Sequence, residues 1–139
     1  MILLDTNVVA ALMYLDREPK VRAWVDRQNM QDLFLPTPVI FETCFGIARL
    51  PRGKRRRDLE QRYADFLRYI VDGRCVAFDT RSADAAGEIH VEMARRSRDK
   101  EIVDTLLAGM GRSMDASIAT RNSRDFAGLG LRLINPWSA

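Results

Sequence analysis

Short apolar runs alternate along the chain with longer segments in which apolar residues recur every three or four positions. The first run, residues 1–4, contains only apolar residues and stops at Asp5, Thr6 and Asn7, a pattern typical of a fully buried strand. Other short segments that are wholly or partly apolar predict the remaining strands at residues 33–35, 75–78, 117–120 and 131–134.

The intervening segments have the periodicity of amphipathic helices. Helices are predicted at 8–15, from Pro19, from Thr37, and at 54–71, 82–96 and 102–112. Thr6 or Asn7 is predicted to cap the first helix, and Thr37, followed by Pro38, to cap the third. Gly73 is predicted to end the fourth, and a polar break at 97–100 to separate the last two.

Strands that alternate with helices of this length predict an α/β fold, a three-layer α/β/α sandwich with a mostly parallel central sheet. The 139 residues fit one domain, expected to span 1–139, and no repeat or linker interrupts it.

The composition is that of a globular protein, with 47% hydrophobic and 29% charged residues. No apolar run approaches the roughly 20 residues that span a bilayer, and the N-terminus lacks a signal-peptide pattern. We therefore expect a cytoplasmic protein without membrane contact. Cys44 and Cys75 lack metal-site spacing and are predicted to be buried, reduced thiols.

Three acidic residues occupy positions where an α/β sheet builds its sites. Asp5 follows the first strand, Glu42 lies among apolar residues of its helix, and Asp104 lies early in another helix. Sites form beyond the carboxyl ends of parallel strands, where the N-terminal halves of helices also face. Mg²⁺ prefers such oxygen ligands, and grouped carboxylates need a cation. We predict that these three acids hold a metal and act in catalysis.

Each acidic residue also has a simpler interpretation. Asp5 could be a helix cap, Glu42 could pair with an arginine, and Asp104 could be a solvated helix residue. Asp115 and Asp125 are interpreted as capping residues at a helix end and in a loop.

The net charge of +3 and the pI of about 9.2 favour a polyanionic partner only weakly. A basic cluster after the Glu42 helix and two arginines in the loop after the fourth predicted strand are candidates for phosphate contacts. These possible RNA-binding residues are Arg52, Lys54, Arg55, Arg121 and Arg124. A solvated helix start explains the cluster equally well.

Four segments together form an ordered series. They are Met1-Ile-Leu-Leu-Asp5-Thr-Asn7, Glu42 with the later Gly46-Ile47 and Leu50-Pro51-Arg52-Gly53, Ala119-Thr-Arg-Asn-Ser-Arg-Asp-Phe126 with Gly128-Leu-Gly130, and Ile134-Asn-Pro-Trp137. The series resembles the VapC/FitB-like toxins of the PIN-domain family from the first residue almost to the last.

The resemblance implies a toxin of a bacterial type II toxin–antitoxin pair that cleaves RNA with Mg²⁺ or Mn²⁺. The family's first three acids correspond to Asp5, Glu42 and Asp104, with Thr6, Asn7, Thr120 and Asn122 as supporting polar residues. It also implies a homodimer held inactive by a cognate antitoxin, with operator DNA bound only through that antitoxin.

The sequence departs from the family pattern at two places. Many relatives carry Asp where this chain has Asn122, so a second metal site would be weaker. Bulky neighbours and a shorter spacing surround Asp104, which makes Glu101 a minor competitor.

The leading hypothesis is thus a metal-dependent endoribonuclease toxin. The alternative is a PIN-like module that binds RNA or an antitoxin without cleaving, which Asn122 and the altered surroundings of Asp104 favour. An aspartate-nucleophile phosphatase is disfavoured because Asn7 stands where its second Asp would be.

Overall fold

The computed structural model describes residues 1–96 and 101–139. Its strands are β1 (Ile2–Leu4), β2 (Leu33–Pro36), β3 (Cys75–Val76), β4 (Ser117–Ala119) and β5 (Arg132–Ile134). The helices are α1 (Thr6–Met13), α2 (Pro19–Val25), α3 (Thr37–Ala48), α4 (Lys54–Phe66), α5 (Thr80–Arg95) and α6 (Ile102–Ser113). Short 3₁₀ turns lie at Leu15–Arg17, Met30–Asp32 and Ser123–Phe126. The polar break predicted at 97–100 lies outside the described residues.

The five strands form one sheet in the order β3-β2-β1-β4-β5, and every neighbouring pair is parallel. β1 is central, with Ile2 opposite Leu33 of β2 on one side and Ser117 of β4 on the other. α5 packs against α6, while α1 packs against α2 and α4. The predicted three-layer α/β fold is confirmed.

The core lies around β1, as the apolar run at the N-terminus predicts. Leu3 and Leu4 have no exposed surface, and Trp24, Leu107 and Phe126 are buried in the same cluster. Apolar burial on both faces of a parallel sheet is what its helical layers require. In the described part of the chain, no helix has the length and apolar character needed to cross a membrane.

Two predicted helix caps were wrong. α1 is capped by Asp5, whose Oδ1 accepts a 2.7 Å hydrogen bond from the Thr6 amide, rather than by Thr6 or Asn7. α3 has Pro36 as its N-cap residue, and Thr37 is the first helical residue. The Thr37 hydroxyl instead accepts a hydrogen bond from the Phe78 amide at 3.0 Å, so it ties α3 to the segment after β3.

The prediction at 54–71 covers two kinds of helix. α4 ends at Phe66, and one π-helical turn continues at Leu67–Val71. Asp72 and Gly73 then turn the chain with positive φ angles of 47° and 76°, a conformation that glycine adopts without steric cost. The strand predicted at 75–78 is only two residues long, because β3 pairs with just the end of β2.

Glycine permits a close approach between α5 and α6. A Cβ atom added to Gly109 would lie 2.6 Å from the Ala86 Cβ and 2.6 Å from the Ser82 carbonyl oxygen. The same two helices are joined by a two-bonded ion pair from Arg112 to Glu92, at 3.1 and 3.3 Å. α6, which carries Asp104, is therefore fixed closely to α5.

The prediction of two buried thiols was wrong, since Cys44 and Cys75 are both exposed. Cys75 lies on β3, the edge strand of the sheet, and Cys44 lies on an outward position of α3.

Candidate active site

The sheet order creates a crevice between β1 and β4. The chain leaves β1, builds β2 and β3 on one side, and returns to the other side of β1 with β4 and β5. At such a reversal the connections leave in opposite directions, so a crevice opens outside the carboxyl ends of the two strands. Asp5 follows β1 here and Thr120 follows β4, and the Asp5 amide donates to the Ala119 carbonyl at 3.0 Å.

Asp5 is a buried carboxylate, with only 4% of its surface exposed. It accepts hydrogen bonds from the Thr6 amide at 2.7 Å, the Asn7 side-chain amide at 3.2 Å and the Thr120 hydroxyl at 2.6 Å. Burial raises the pKa of Asp5 above its ordinary value, although the three hydrogen bonds act in the opposite direction. Among the described residues no basic side chain forms an ion pair with it.

The polar residues around Asp5 are held by further hydrogen bonds. The Thr120 hydroxyl accepts from the Asn122 amide at 3.1 Å, and the Asn7 side-chain oxygen accepts from the Arg121 amide at 3.1 Å. The loop after β4 is thereby connected to the start of α1, and Asp5 lies between them.

A pocket of about 450 Å³ opens beside Asp5. It brings together side chains from α1, α3, the start of α6 and the loop after β4. Its lining residues are Asp5, Thr6, Asn7, Ala10, Glu42, Glu101, Asp104, Asn122 and Asp125. All three predicted catalytic acids and three of the four supporting residues line it, and Thr120 lies behind Asp5 as its hydrogen-bond donor.

Glu42 enters this carboxylate pocket from the middle of α3 and is half-buried. The apolar residues Phe41 and Phe45 on either side of Glu42 in the sequence are 65% and 57% exposed, so they lie outside the core. Glu42 forms no ion pair within the described chain, so the arginine partner considered from the sequence is not found there.

The start of α6 contributes two acids. Asp104 lies in its first turn, where its amide donates to the Glu101 carbonyl at 3.1 Å. Glu101, the minor competitor in the sequence, lines the pocket together with Asp104. The helix start thus presents both carboxylates to the same space.

Asp125 is an acid that the sequence reasoning assigned to loop capping. It lines the carboxylate pocket, and its negative charge contributes to the raised pKa of Asp5. Its position follows from the 3₁₀ turn Ser123–Phe126, in which the Asp125 amide donates to the Asn122 carbonyl at 2.9 Å. The neighbouring Phe126 is buried in the core, and local sequence periodicity does not encode that burial.

The basic candidates are dispersed around the molecule. Arg121 and Arg124 line a neighbouring pocket with Asn122 and Asp125, and the Arg121 guanidinium lies 4.9 Å from the Trp137 ring centre. Arg55 lines a different cavity, and Arg52 and Lys54 are exposed without lining the carboxylate pocket.

The donor set fits a hard divalent cation. Buried Asp5 lacks a basic partner in the described chain, and four more carboxylates share its pocket, so a cation would relieve their mutual repulsion. Among residues 1–96 and 101–139, no three acidic, His or Cys side chains form a ready-made coordination cluster. Mg²⁺ does not require three closely grouped protein ligands, because it usually keeps several waters beside one or two carboxylates.

Comparison with known proteins agrees with this fold. The protein-family model for the PIN domain matches residues 2–130 of the sequence. The chain belongs to the PIN-domain family, and its resemblance to the VapC/FitB-like toxins is confirmed by the relatives it matches.

Two of those relatives are similar over nearly their whole length. The chain is 32% identical over 139 residues to the plasmid stability protein StbB of Pseudomonas syringae pv. tomato, covering 100% of both chains. It is 30% identical over 137 residues to the VapC ribonuclease Y4jK of Sinorhizobium fredii, covering 99% and 98%. The crystal structure of FitAcB from Neisseria gonorrhoeae superimposes with a TM-score of 0.86 at 27% identity, over 100% of both chains.

Proposed function

We propose that this protein is a Mg²⁺-dependent endoribonuclease, with Mn²⁺ as an alternative ion, and the toxin of a toxin–antitoxin pair. The observation that carries the proposal is the buried Asp5 carboxylate at the β1/β4 crevice, in a pocket shared with Glu42 and Asp104. Relatives named as a VapC ribonuclease and the toxin FitB support the substrate class and the role.

Each acid has a distinct part in the proposed reaction. Asp5 and Asp104 would hold the ion directly, and Glu42 would either ligate it or orient the attacking water. When bound, such an ion activates the water nucleophile and neutralises charge that develops on the scissile phosphate. Thr120 and Asn7 keep the Asp5 carboxylate oriented through their hydrogen bonds.

Asn122 favours a second candidate, a module that binds RNA or an antitoxin without cutting. Its side chain lines the pocket but brings no charge, so one side of the pocket binds a cation less strongly. Asp125, three residues later on the same side, supplies a carboxylate that supports the ribonuclease proposal instead.

The test is cleavage of RNA by purified protein, freed of any bound partner, with Mg²⁺ or Mn²⁺. Asp5→Asn should reduce the rate more than about a hundredfold, because it removes a charged ligand while keeping the side-chain shape. Asp84→Asn, an exposed substitution on α5 away from the pocket, is the matched control. An inactive wild type with both ions would favour the binding module.

We propose further that an antitoxin protein binds this chain, that the chain forms a homodimer, and that it reaches operator DNA only through the antitoxin. The support is the set of similar solved structures, which include FitAB bound to a DNA fragment. Exposed Phe41, Phe45 and Ile102 border a groove beside Glu42 and Glu101, and a partner that covers them would bury apolar surface.

A further inference from the structure

A second cavity, of about 250 Å³, adjoins the carboxylate pocket between α1, α3 and the start of α4. We propose that it is a subsite that receives one nucleobase of the RNA strand, next to the scissile phosphate. The inference rests on the proposed function. The lining residues are Thr6, Ala10, Met13, Tyr14, Thr43, Gly46, Ile47, Arg49, Leu50, Arg55 and Leu59.

The second cavity, called the base cavity below, and the carboxylate pocket share a wall. Thr6 and Ala10 line both of them, and Thr6 directly follows Asp5 in the chain. A strand whose phosphate lies at the carboxylates therefore has its neighbouring nucleotide beside Thr6, at the entrance of the second cavity. The two spaces are therefore neighbours along one side of α1.

Two hydroxyl groups in the cavity wall lack a partner. Thr6 Oγ1 and Thr43 Oγ1 are both buried, and neither forms a hydrogen bond to any described residue. Thr43 is only 9% exposed. Buried polar groups in proteins are nearly always paired, so unpaired ones indicate a missing water or ligand. Thr6 and Thr43 both line this cavity, so a ligand inside it would lie beside both side chains.

The cavity also carries two positive charges. Arg49 and Arg55 line it, both are exposed, and neither pairs with a carboxylate of the described chain. These guanidinium groups favour an anionic ligand, because Arg readily binds phosphate through paired hydrogen bonds. If the base of a nucleotide enters the cavity and the scissile phosphate lies at the carboxylates, the phosphate on the other side of that nucleotide would lie near Arg49 and Arg55.

The remaining wall is apolar, with Met13, Ile47, Leu50 and Leu59 as its main side chains. The volume lies just below the range of about 300–1,000 Å³ for drug-sized ligands, which suits one planar group. A nucleobase combines an apolar face with polar edges, so it would pack on this wall and pair with the two hydroxyls. An aliphatic side chain of a protein partner would leave both hydroxyls unsatisfied.

The test measures binding of short fluorescent RNA oligonucleotides, with a single abasic nucleotide placed at each position in turn. The Asp5→Asn background keeps the strand intact during the measurement. We expect one abasic position next to the cleavage site to lower the affinity, and Thr43→Val to lower the affinity of the complete strand about three- to tenfold. The two changes should not be additive, because both remove the same contact. Thr43→Ser, which keeps the hydroxyl, should restore most of the loss.

Two further variants test the cavity itself. Gly46→Leu should block it, since a Cβ at Gly46 meets no atom within 4 Å and the side chain can extend into open space. Gly46→Ala controls for the change in helix propensity. Arg55→Gln should weaken binding of every sequence alike, whereas Lys20→Gln, an exposed charge on α2, should not.

The outcomes separate the subsite from the proposed function. If Thr43→Val, Gly46→Leu and Arg55→Gln all bind RNA as the parent does, the subsite is refuted, whether or not the wild type cleaves. If the wild type fails to cleave but the abasic position and Thr43 remain coupled, the subsite stands and the proposed ribonuclease activity fails.

Discussion

Thr120 Oγ1 donates a 2.6 Å hydrogen bond to Asp5 Oδ2 across the junction of β4 and β1. The bond stabilises the charged form of a carboxylate whose burial raises its pKa. Because the same hydroxyl accepts from the Asn122 amide, one side chain orients the acid and the following loop together.

Thr120→Val should therefore weaken cation binding by about ten- to a hundredfold, the usual effect of removing a partner that orients a ligand. Isothermal titration with Mn²⁺ measures this directly. Thr120→Ser keeps the hydroxyl and should bind as the wild type does. Equal affinities for the valine and serine variants would show that the hydrogen bond does not act on the metal site.

Divalent cations should stabilise the folded protein through Asp5. At an ion concentration a hundred times the Kd, binding adds about 2.7 kcal/mol to the free energy of unfolding. The melting temperature of the wild type should rise with Mg²⁺, and that of Asp5→Asn should not. In EDTA, Asp5→Asn should melt at a higher temperature than the wild type, because the Asn side chain removes the cost of burying a charge. A rise of the same size in both proteins would place the ion elsewhere.

Because α5 and α6 are in close contact, alanine substitutions at two glycines should change the free energy of unfolding in opposite directions. Gly109→Ala should lower the free energy of unfolding by about 1–3 kcal/mol, since the new Cβ would lie 2.6 Å from Ser82 and Ala86 atoms. Gly87→Ala, in open space on α5, should raise it by about 0.5–1 kcal/mol through helix propensity. Urea denaturation of the two variants provides the comparison, and equal signs would contradict the close packing.

The Glu92–Arg112 pair should make stability depend on pH. The hydrogen bond from Arg112 lowers the pKa of Glu92 below its ordinary 4.5. The stability that this pair contributes is therefore present above pH 4.5 and is lost as the pH falls through the lower folded-state pKa. Glu92→Gln should be less stable than the wild type at neutral pH, and this difference should shrink as the pH falls below the ordinary pKa of 4.5 and through the lower folded-state pKa. Urea denaturation over a pH series checks it. A difference that stays constant with pH would exclude the ion pair as its cause.

The sequence predicted the location of those candidate site residues whose place in the fold follows from their position along the chain. Asp5 directly follows an apolar run, and any parallel sheet brings the ends of its strands to one edge, so the acid's location could be anticipated. Asp125 could not be anticipated in the same way, because its direction depends on a 3₁₀ turn that buried Phe126 fixes in the folded state.

The unexpected exposure of some residues has a common physical origin. Cys75, Phe41 and Phe45 are residue types that are usually buried, yet all three are exposed. Whether an apolar residue is covered depends on which strand becomes the edge of the sheet and where the helical layer stops. Those are properties of the whole fold, which local periodicity does not encode.

The backbone bond from Asp5 to Ala119 has a consequence for synthesis of the chain. Asp5 is synthesised more than a hundred residues before its orienting partners, Ala119 and Thr120. A nascent or truncated chain without β4 lacks both the crevice and the groups that hold Asp5. The carboxylate site can therefore assemble only after β4 has been synthesised and has paired with β1.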